Sequence, residues 1–232
     1  MRRIRLGMVG GGKGSFIGAV HRIAARIDDR FELVAGSLSS DAIRAAESAA
    51  EIGIDPDRSY ATFTDMATKE AARADGIEAV AIVTPNHMHA APAIAFLEAG
   101  IHVICDKPLA ATMAQAEALQ AAVTASTAHF FLTHNYTGYP LIRQAREMVA
   151  NGALGSLRVA QLEYAQDWLA EPLETTGQKQ ASWRTDPARS GAGAIGDIGT
   201  HAFNLLQFVT GDTVTALAAD LNSFVDGRQV DD

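Results

Sequence analysis

The sequence has little cysteine, no excess of basic residues and no long apolar run. Cys105 is the single cysteine among 232 residues, so no internal disulfide can form, which is typical of a cytoplasmic protein. The 19 basic residues are outnumbered by 27 acidic ones, and the formal net charge of −8 argues against nucleic acid or an anionic membrane as the main partner. No apolar stretch approaches the ~20 residues that cross a bilayer, and the N-terminal segment lacks a signal-peptide pattern.

With 48% hydrophobic and 20% charged residues, the chain is globular and long enough for one large domain or two small ones. Short apolar runs rich in Val, Ile and Leu predict strands buried on both faces. These runs are Ile4–Val9, Phe31–Ala35, Ala79–Thr84, His102–Cys105 and Phe130–Thr133. The predicted helices between them are Gly18–Ile27, Asp41–Glu51, Thr64–Ala74, His89–Glu98 and Met113–Ala125. This alternation predicts an α/β fold, a doubly wound parallel sheet with helices on both faces.

The pattern changes after Thr133, and we place a domain boundary near Ala128. The second region is predicted to contain helices and two longer strands around an irregular loop, an α+β domain with an open mixed sheet. Its predicted elements are helix Tyr139–Ala150, strand Leu157–Tyr164, helix Asp197–Val209 and strand Val214–Phe224.

A glycine-rich turn, GGGKGSFIG, follows the first predicted strand and precedes the first predicted helix. Glycines at this place let the backbone approach a pyrophosphate, which binds to N–H groups at the start of the helix. Gly10 and Gly12 fit the first two positions of a G-x-G-x-x-G fingerprint, and the third is Gly14 or Gly18. The alternative, a connector without a ligand, is left open by the motif alone.

Three other residues form a candidate for proton-transfer chemistry. Lys107 follows a predicted parallel strand at the edge where doubly wound sheets bind ligands, and its ammonium can stabilise a developing alkoxide. Asp197 and His201 are four apart on a predicted helix, so a carboxylate can orient an imidazole for general acid–base work. The structural alternatives are a solvated lysine, a helix N-cap aspartate and a packed core histidine.

Several motifs together resemble those of the Gfo/Idh/MocA family of NAD(P)-dependent oxidoreductases. Thr84-Pro85-Asn86 with His89 is similar to the family's T-P-N-x-x-H segment, and Asp106-Lys107-Pro108 to its E-K-P motif. Asp197 and His201 match its D-x-G-x-H pair. With the glycine loop, these motifs span nearly the whole chain.

The resemblance implies a Rossmann domain, residues 1–128, followed by part of a substrate-binding and oligomerisation domain, residues 129–232. It implies hydride transfer between a nicotinamide cofactor and a secondary alcohol of a sugar, inositol or related polyol. The catalytic residues are then Lys107, Asp197 and His201, with Tyr136 as a further substrate contact. The expected cofactor-binding residues are Gly10, Gly12, Gly14, Ser15, Phe16, Ile17, Ser39, Arg44, Thr84, Pro85, Asn86, His89, Asp106, Lys107, Trp183 and Arg184.

The cofactor is expected to be NAD or NADP, with a slight preference for NADP. In NAD-selective folds an acidic residue ends the second strand, whereas the matching position here is Ser39, with Asp41 close behind as an alternative carboxylate. Arg44, one turn into the next helix, could pair with a 2′-phosphate. The alternative is that Ser39 and Ser40 only cap that helix, with Arg44 solvated.

No metal is expected, because no Cys or carboxylate cluster completes a ligand set near His87 and His89. Relatives continue well beyond two strands of the second sheet, so we expect a truncated chain whose intact form is a homodimer or homotetramer. Two other functions are open at this point: a non-catalytic NAD(P)-binding regulator, and a relative that uses bound NAD for glycoside cleavage without net redox turnover.

Overall fold

The computed structural model describes residues 2–232 and divides into two compact units between Thr133 and His134. The division falls a few residues after the predicted boundary near Ala128, because residues 130–133 pair with the sheet of the first unit.

The first unit contains a five-stranded parallel sheet with the order β2-β1-β3-β4-β5. The strands are β1 (Ile4–Gly10), β2 (Phe31–Ser37), β3 (Ala79–Val83), β4 (His102–Asp106) and β5 (Phe130–Thr133). The helices are α1 (Phe16–Ile27), α2 (Ala42–Glu51), α3 (Phe63–Ala71), α4 (Ala90–Glu98) and α5 (Met113–Ala125), with 3-10 turns at Pro56–Arg58 and Asn86–Met88. The predicted α/β fold of this region is confirmed, with element ends shifted by a few residues.

Alternating side chains of the central strand enter two separate cores, as the pleat of a strand requires. On β3, Val80 and Ile82 pack in a cluster with Phe96 and Leu97 of α4. Ala79, Ala81 and Val83 pack in the other cluster, beside residues of α1 and α2. Helices therefore cover both faces of the sheet, which explains why the strands are continuous apolar runs.

The strand order identifies where a ligand crevice lies. Ser59 forms a single parallel bridge to Gly36 of β2, and the Tyr60 N–H donates to the Gly36 carbonyl over 2.8 Å. Counting this bridge as a strand, the spatial order becomes 3-2-1-4-5-6, the order of dinucleotide-binding sheets. The chain reverses its direction of winding between β1 and β3, so the crevice lies beyond the carboxyl ends of these two strands.

The second unit is helical in its regular parts. Its helices are α6 (Pro140–Ala150), α7 (Lys179–Arg184), α8 (Pro187–Ser190) and α9 (Thr200–Thr210), preceded by a π-helical turn at Ile195–Gly199. Two 3-10 turns lie at Asn135–Gly138 and Leu173–Thr176. Helix α6 packs against α9, with the Arg146 guanidinium 4.5 Å from the ring centre of Phe208.

The two strands predicted in the second unit, Leu157–Tyr164 and Val214–Phe224, are not formed in the described residues. A strand needs a neighbour to accept and donate its backbone hydrogen bonds, and neither segment has a ladder partner within residues 2–232. Their apolar side chains are exposed: Val159 is 83% and Leu217 81% accessible. Both strand predictions are therefore wrong for the described residues, because an apolar pattern does not supply the partner strand that pairing needs.

Candidate active site

The glycine loop after β1 has a backbone that side chains would disrupt. Gly10, Gly11 and Gly14 have φ values of 77°, 75° and 77°, in the left-handed region that favours glycine. At Gly12, a Cβ atom would lie 2.7 Å from the Leu38 carbonyl oxygen. A Cβ on Gly18 would lie 2.4 Å from the Gly11 Cα. Gly14 therefore allows the turn, and Gly18 allows helix α1 to contact the loop closely. The motif does not identify Gly11, whose left-handed backbone also favours glycine.

Helix α1 starts directly after this loop. Ser15 is its N-cap residue, and among the described contacts its side chain makes no capping hydrogen bond; its backbone N–H donates to the Gly12 carbonyl over 2.9 Å. Phe16 is exposed, whereas Ile17 packs against the core beside β1. A glycine cradle that ends in a helix N-terminus fits the pyrophosphate of a dinucleotide.

The loop after β2 holds the residues predicted to contact the adenosine end. The Ser39 hydroxyl accepts a hydrogen bond from the Asp41 N–H at 3.1 Å. Asp41, rather than either serine, caps α2: its carboxylate accepts from the Arg44 N–H at 2.8 Å. The Arg44 side chain is exposed.

The turn after β3 contains Thr84, Pro85 and Asn86, with Asn86 buried at the start of a 3-10 turn. The Thr84 hydroxyl donates to the Met88 carbonyl over 2.8 Å. His89 is only 1% exposed. Its Nδ1 lies 2.6 Å from the Pro108 carbonyl oxygen, and its Nε2 lies 2.9 Å from the Thr84 carbonyl oxygen.

Burial and hydrogen bonding change the pKa of His89 in opposite directions, and the net effect is a lowered pKa. Burial lowers the pKa of its imidazole, although the two carbonyls and the Asp106 carboxylate act in the opposite direction. Carbonyl oxygens only accept hydrogen bonds, so the ring serves both of them fully only when both nitrogens carry protons.

Asp106 and Lys107 lie at the carboxyl end of β4. Asp106 accepts a hydrogen bond from the Thr133 hydroxyl at 2.9 Å, and its Oδ1 lies 3.9 Å from His21 Nε2. Burial raises the pKa of this carboxyl, but the nearby His21 ring and the hydrogen bond from Thr133 outweigh it and hold the pKa below its usual range. Lys107 is half-buried at the same edge of the sheet as the glycine loop and precedes a cis peptide bond to Pro108.

In the second unit, Tyr136 packs on His201. The ring centres are 4.6 Å apart in an edge-on arrangement, and the His134 ring centre lies 6.0 Å from that of His201. His201 is 7% exposed. The Tyr136 and Tyr164 hydroxyl oxygens are 2.5 Å apart. This hydrogen bond, together with burial, raises the pKa of Tyr136 to about 12, so Tyr136 stays a neutral hydrogen-bonding group near pH 7.

Asp197 lies in the π-helical turn, and its described partner is Arg184. The Arg184 Nε donates to Asp197 Oδ2 over 3.0 Å, and its Nη1 donates to Gln180 Oε1 over 2.5 Å. The Arg184 guanidinium carbon also lies 4.3 Å from the centre of the Trp183 ring. The motifs predict Arg184 as a cofactor contact and Asp197 as a partner of His201. They do not predict the ion pair between Arg184 and Asp197.

Asp231 accepts hydrogen bonds from three consecutive backbone amides at the start of that turn. Its carboxylate accepts from the N–H groups of Gly193 at 2.8 Å and Ile195 at 2.5 Å, and its carbonyl accepts from Ala194 at 2.9 Å. A Cβ on Gly193 would lie 1.8 Å from the Asp231 carbonyl oxygen, so glycine is required there. Nothing in the local sequence indicated this contact.

The predicted residues thus form two groups, one in each unit: the glycine loop, Thr84–His89 and Asp106–Lys107 in the first, and Tyr136, Trp183–Arg184, Asp197 and His201 in the second. Across residues 2–232 we find no cluster of three or more His, Cys, Asp or Glu side chains that could hold a metal ion. No helix in that range is long and apolar enough to span a membrane.

Known proteins match both units. Residues 4–145 match the oxidoreductase family with an NAD-binding Rossmann fold, and residues 142–232 match the GFO/IDH/MocA C-terminal domain. The crystal structure of an oxidoreductase from Sinorhizobium meliloti is 56% identical, with a TM-score of 0.86 over 100% of this chain and 59% of that chain.

Two further relatives have named ligands or substrates. An inositol dehydrogenase homolog from Azotobacter vinelandii, crystallised with NADH and myo-inositol, is 40% identical, with a TM-score of 0.82 over 91% of this chain and 53% of that chain. Levoglucosan dehydrogenase from Pseudarthrobacter phenanthrenivorans is 31% identical over 98% of this chain and 56% of its own length. The chain spans little more than half the length of these relatives.

Proposed function

Because the chain belongs to the Gfo/Idh/MocA oxidoreductase family, as its motifs predicted, we propose that it transfers a hydride between a nicotinamide cofactor and a secondary alcohol of a sugar, inositol or related polyol. The relatives that carry NADH with myo-inositol, or that act on levoglucosan, support this substrate class. The observation that carries the proposal is the buried His201, which packs on Tyr136 and follows Asp197, the partner of Arg184, by four residues.

The first unit would hold the cofactor. The glycine loop and the N-terminus of α1 would bind the pyrophosphate, and the buried turn at Thr84–Asn86 would line the crevice beyond β1 and β3. When bound, the nicotinamide supplies the hydride acceptor or donor.

The proposed proton transfer gives one role to each of the predicted catalytic residues. In the oxidative direction, His201 takes the hydroxyl proton, and its neutral imidazole is the form able to do so. Lys107 stabilises the negative charge that develops on the substrate oxygen. Asp197, paired with the Arg184 guanidinium, orients the substrate and His201, while Tyr136 donates a hydrogen bond as a neutral phenol.

The test is to mix the protein with NAD or NADP and a panel of polyols and sugars, and to follow the absorbance of reduced nicotinamide. With a substrate found, His201→Ala should lower turnover roughly 10²–10⁴-fold and leave cofactor affinity nearly unchanged, and Lys107→Ala should also lower turnover. The oxidation rate should fall as pH drops through the pKa of the base. Near-wild-type turnover in His201→Ala would make that residue a packing histidine.

A modest preference for NADP is part of the proposal. Ser39 leaves room for a 2′-phosphate, Arg44 is exposed on the first turn of α2, and the Asp41 carboxylate is already used as the helix cap. Fluorescence titration with NADH and NADPH tests this. Arg44→Ala should weaken NADPH binding selectively, whereas the control Arg30→Ala, at the opposite end of β2, should change neither. Tighter NADH binding that Arg44→Ala leaves unchanged would refute the preference.

The proposal includes a cytoplasmic protein that assembles as a homodimer or homotetramer. The lone cysteine supports the compartment. The exposed apolar side chains of residues 157–164 and 214–224 support association, because an apolar surface of this kind is usually covered by another strand or subunit. Sedimentation of the intact protein measures its assembly state directly.

A further inference from the structure

His89 lies between two loops that carry different parts of the proposed chemistry. One is the turn after β3, which would contact the cofactor. The other begins with Lys107, the residue proposed to stabilise the substrate oxygen. The imidazole is 1% exposed and is bonded at Nε2 to the Thr84 carbonyl and at Nδ1 to the Pro108 carbonyl.

The two loops have a second, outer connection at Gln115 on α5. Its Nε2 donates to the His87 carbonyl over 3.3 Å, and its Oε1 accepts from the Ala111 N–H at 3.1 Å. Gln115 is only half-buried, and water can replace such bonds at little cost. The contacts of His89 are shorter, at 2.6 and 2.9 Å, and its imidazole is 1% exposed, so losing one of them should cost more than losing a bond of Gln115.

We propose that His89 is a positioning residue rather than a cofactor contact: it fixes the Lys107–Pro108 turn against the Thr84–Asn86 turn. This inference rests on the proposed function for its catalytic meaning, but the mechanical coupling belongs to the first unit alone. Each ring nitrogen holds one loop, so the two halves of the role can be separated by mutation.

Two substitutions separate the two ring positions, each of which lies within hydrogen-bond distance of one carbonyl oxygen. The amide nitrogen of Asn is one bond from Cγ, as Nδ1 is, so His89→Asn can keep the bond to Pro108 and loses the bond to Thr84. The amide nitrogen of Gln is two bonds from Cγ, as Nε2 is, so His89→Gln can keep the bond to Thr84 and loses the bond to Pro108.

We expect the variants to differ in where the backbone opens. In hydrogen exchange followed by mass spectrometry on the full chain, His89→Gln should exchange faster over residues 106–112, and His89→Asn over residues 84–89. His89→Asn should raise the NADH dissociation constant about 3- to 10-fold, as expected for one lost hydrogen bond. His89→Gln should leave that constant near the wild-type value and, once a substrate is known, lower kcat. Gln115→Ala is the matched control and should change each quantity less.

A purely structural histidine would give another result. Both variants would then lose thermal stability to the same extent, with exchange faster across the whole first unit and no difference between the two loops, and the proposal would be wrong. The exchange measurement needs neither cofactor nor substrate. If wild-type protein failed to bind NADH, the proposed function would fail while the two exchange patterns still decided the role of His89.

Discussion

At the scale of single residues, the Glu70 side chain of the first unit is a buried carboxylate with several hydrogen-bond donors around it, and it has no part in the proposed chemistry. Its carboxylate has no exposed area. It accepts hydrogen bonds from two nitrogens of Arg58, from the Tyr60 hydroxyl at 2.7 Å and from the Ile77 N–H at 3.0 Å. Burial raises the pKa of this carboxyl, but the bonds from Arg58 and Tyr60 outweigh it and keep the pKa below its ordinary value.

Removing the charge of Glu70 should be costly. Glu70→Gln removes the buried counter-charge of the Arg58 guanidinium, whose side chain is 10% exposed, and leaves it the exposed Asp75 carboxylate 3.9 Å away. We expect a loss of about 3–5 kcal/mol in the free energy of unfolding, the usual cost of breaking a buried pair. Urea unfolding measures it, with the exposed Glu117→Gln as a control that should change little. A loss under about 1 kcal/mol would mean that water reaches Arg58 in the variant.

The Glu70 carboxylate should also determine part of the change in the free energy of unfolding at acidic pH. A pKa lowered by folding adds stability that is present above the ordinary Glu value of about 4.3 and is lost as pH falls through the lower value in the folded protein. The difference in the free energy of unfolding between wild type and Glu70→Gln should therefore shrink below about pH 4. A difference that stays constant down to pH 2 would show that the ionised carboxylate is not the stabilising form.

At the scale of elements, the sequence predicts the helices and strands that local composition and periodicity determine. It does not predict features that depend on contacts with residues far along the chain. The buried strand at Ala79–Val83 and the capped helix at Met113–Ala125 are visible as apolar runs and periodic patterns. The segments at 157–164 and 214–224 have strand composition, but composition does not show whether a partner strand is present. For the same reason, the motifs identified Asp197 and His201 as candidates and could not show the Arg184 pair.

The π-helical turn in front of α9 is the clearest case of a distant cause. The sequence predicts an ordinary helix from Asp197. In the structure, this helical segment begins with a widened turn at Ile195–Gly199, and the Asp231 carboxylate accepts hydrogen bonds from the amides of Gly193 and Ile195 at its start. A carboxylate that accepts from the first amides of a helix also interacts favourably with the helix dipole. Asp231 therefore fixes the start of the segment that carries Asp197 and His201.

Asp231→Ala should loosen that segment. The variant loses both bonds of the carboxylate and keeps the backbone bond to Ala194, so we expect about 1–3 kcal/mol less stability in the second unit. The near-ultraviolet circular dichroism of Trp183, which packs on Arg184, should weaken. The control Asp226→Ala changes an exposed carboxylate in the same stretch of chain. If both variants gave the same melting curve and spectrum as wild type, the capping role of Asp231 would be refuted.

At the scale of the whole molecule, the two units differ in how much apolar surface each one buries within itself. Among the described residues, the buried hydrophobic side chains of the second unit are Ala181 and Val230, and the rest of the core belongs to the first. Exposed apolar side chains are common in the second unit, with Phe224 81% and Leu141 76% accessible. Because apolar burial is the main source of folding free energy, the two units should not be equally stable alone.

We therefore expect residues 1–133, expressed alone, to unfold cooperatively in urea, with a slope of about 1–3 kcal/mol per molar. Met66→Ala, at a fully buried site of its core, should lower the stability of this fragment by about 2–5 kcal/mol. Residues 134–232, expressed alone, should show no cooperative transition and should bind a hydrophobic dye, because their few buried groups cannot offset the entropy of ordering the chain. A monomeric 134–232 fragment that unfolds in one sharp transition would contradict this, since its stability would then come from something other than the apolar burial seen in the structure.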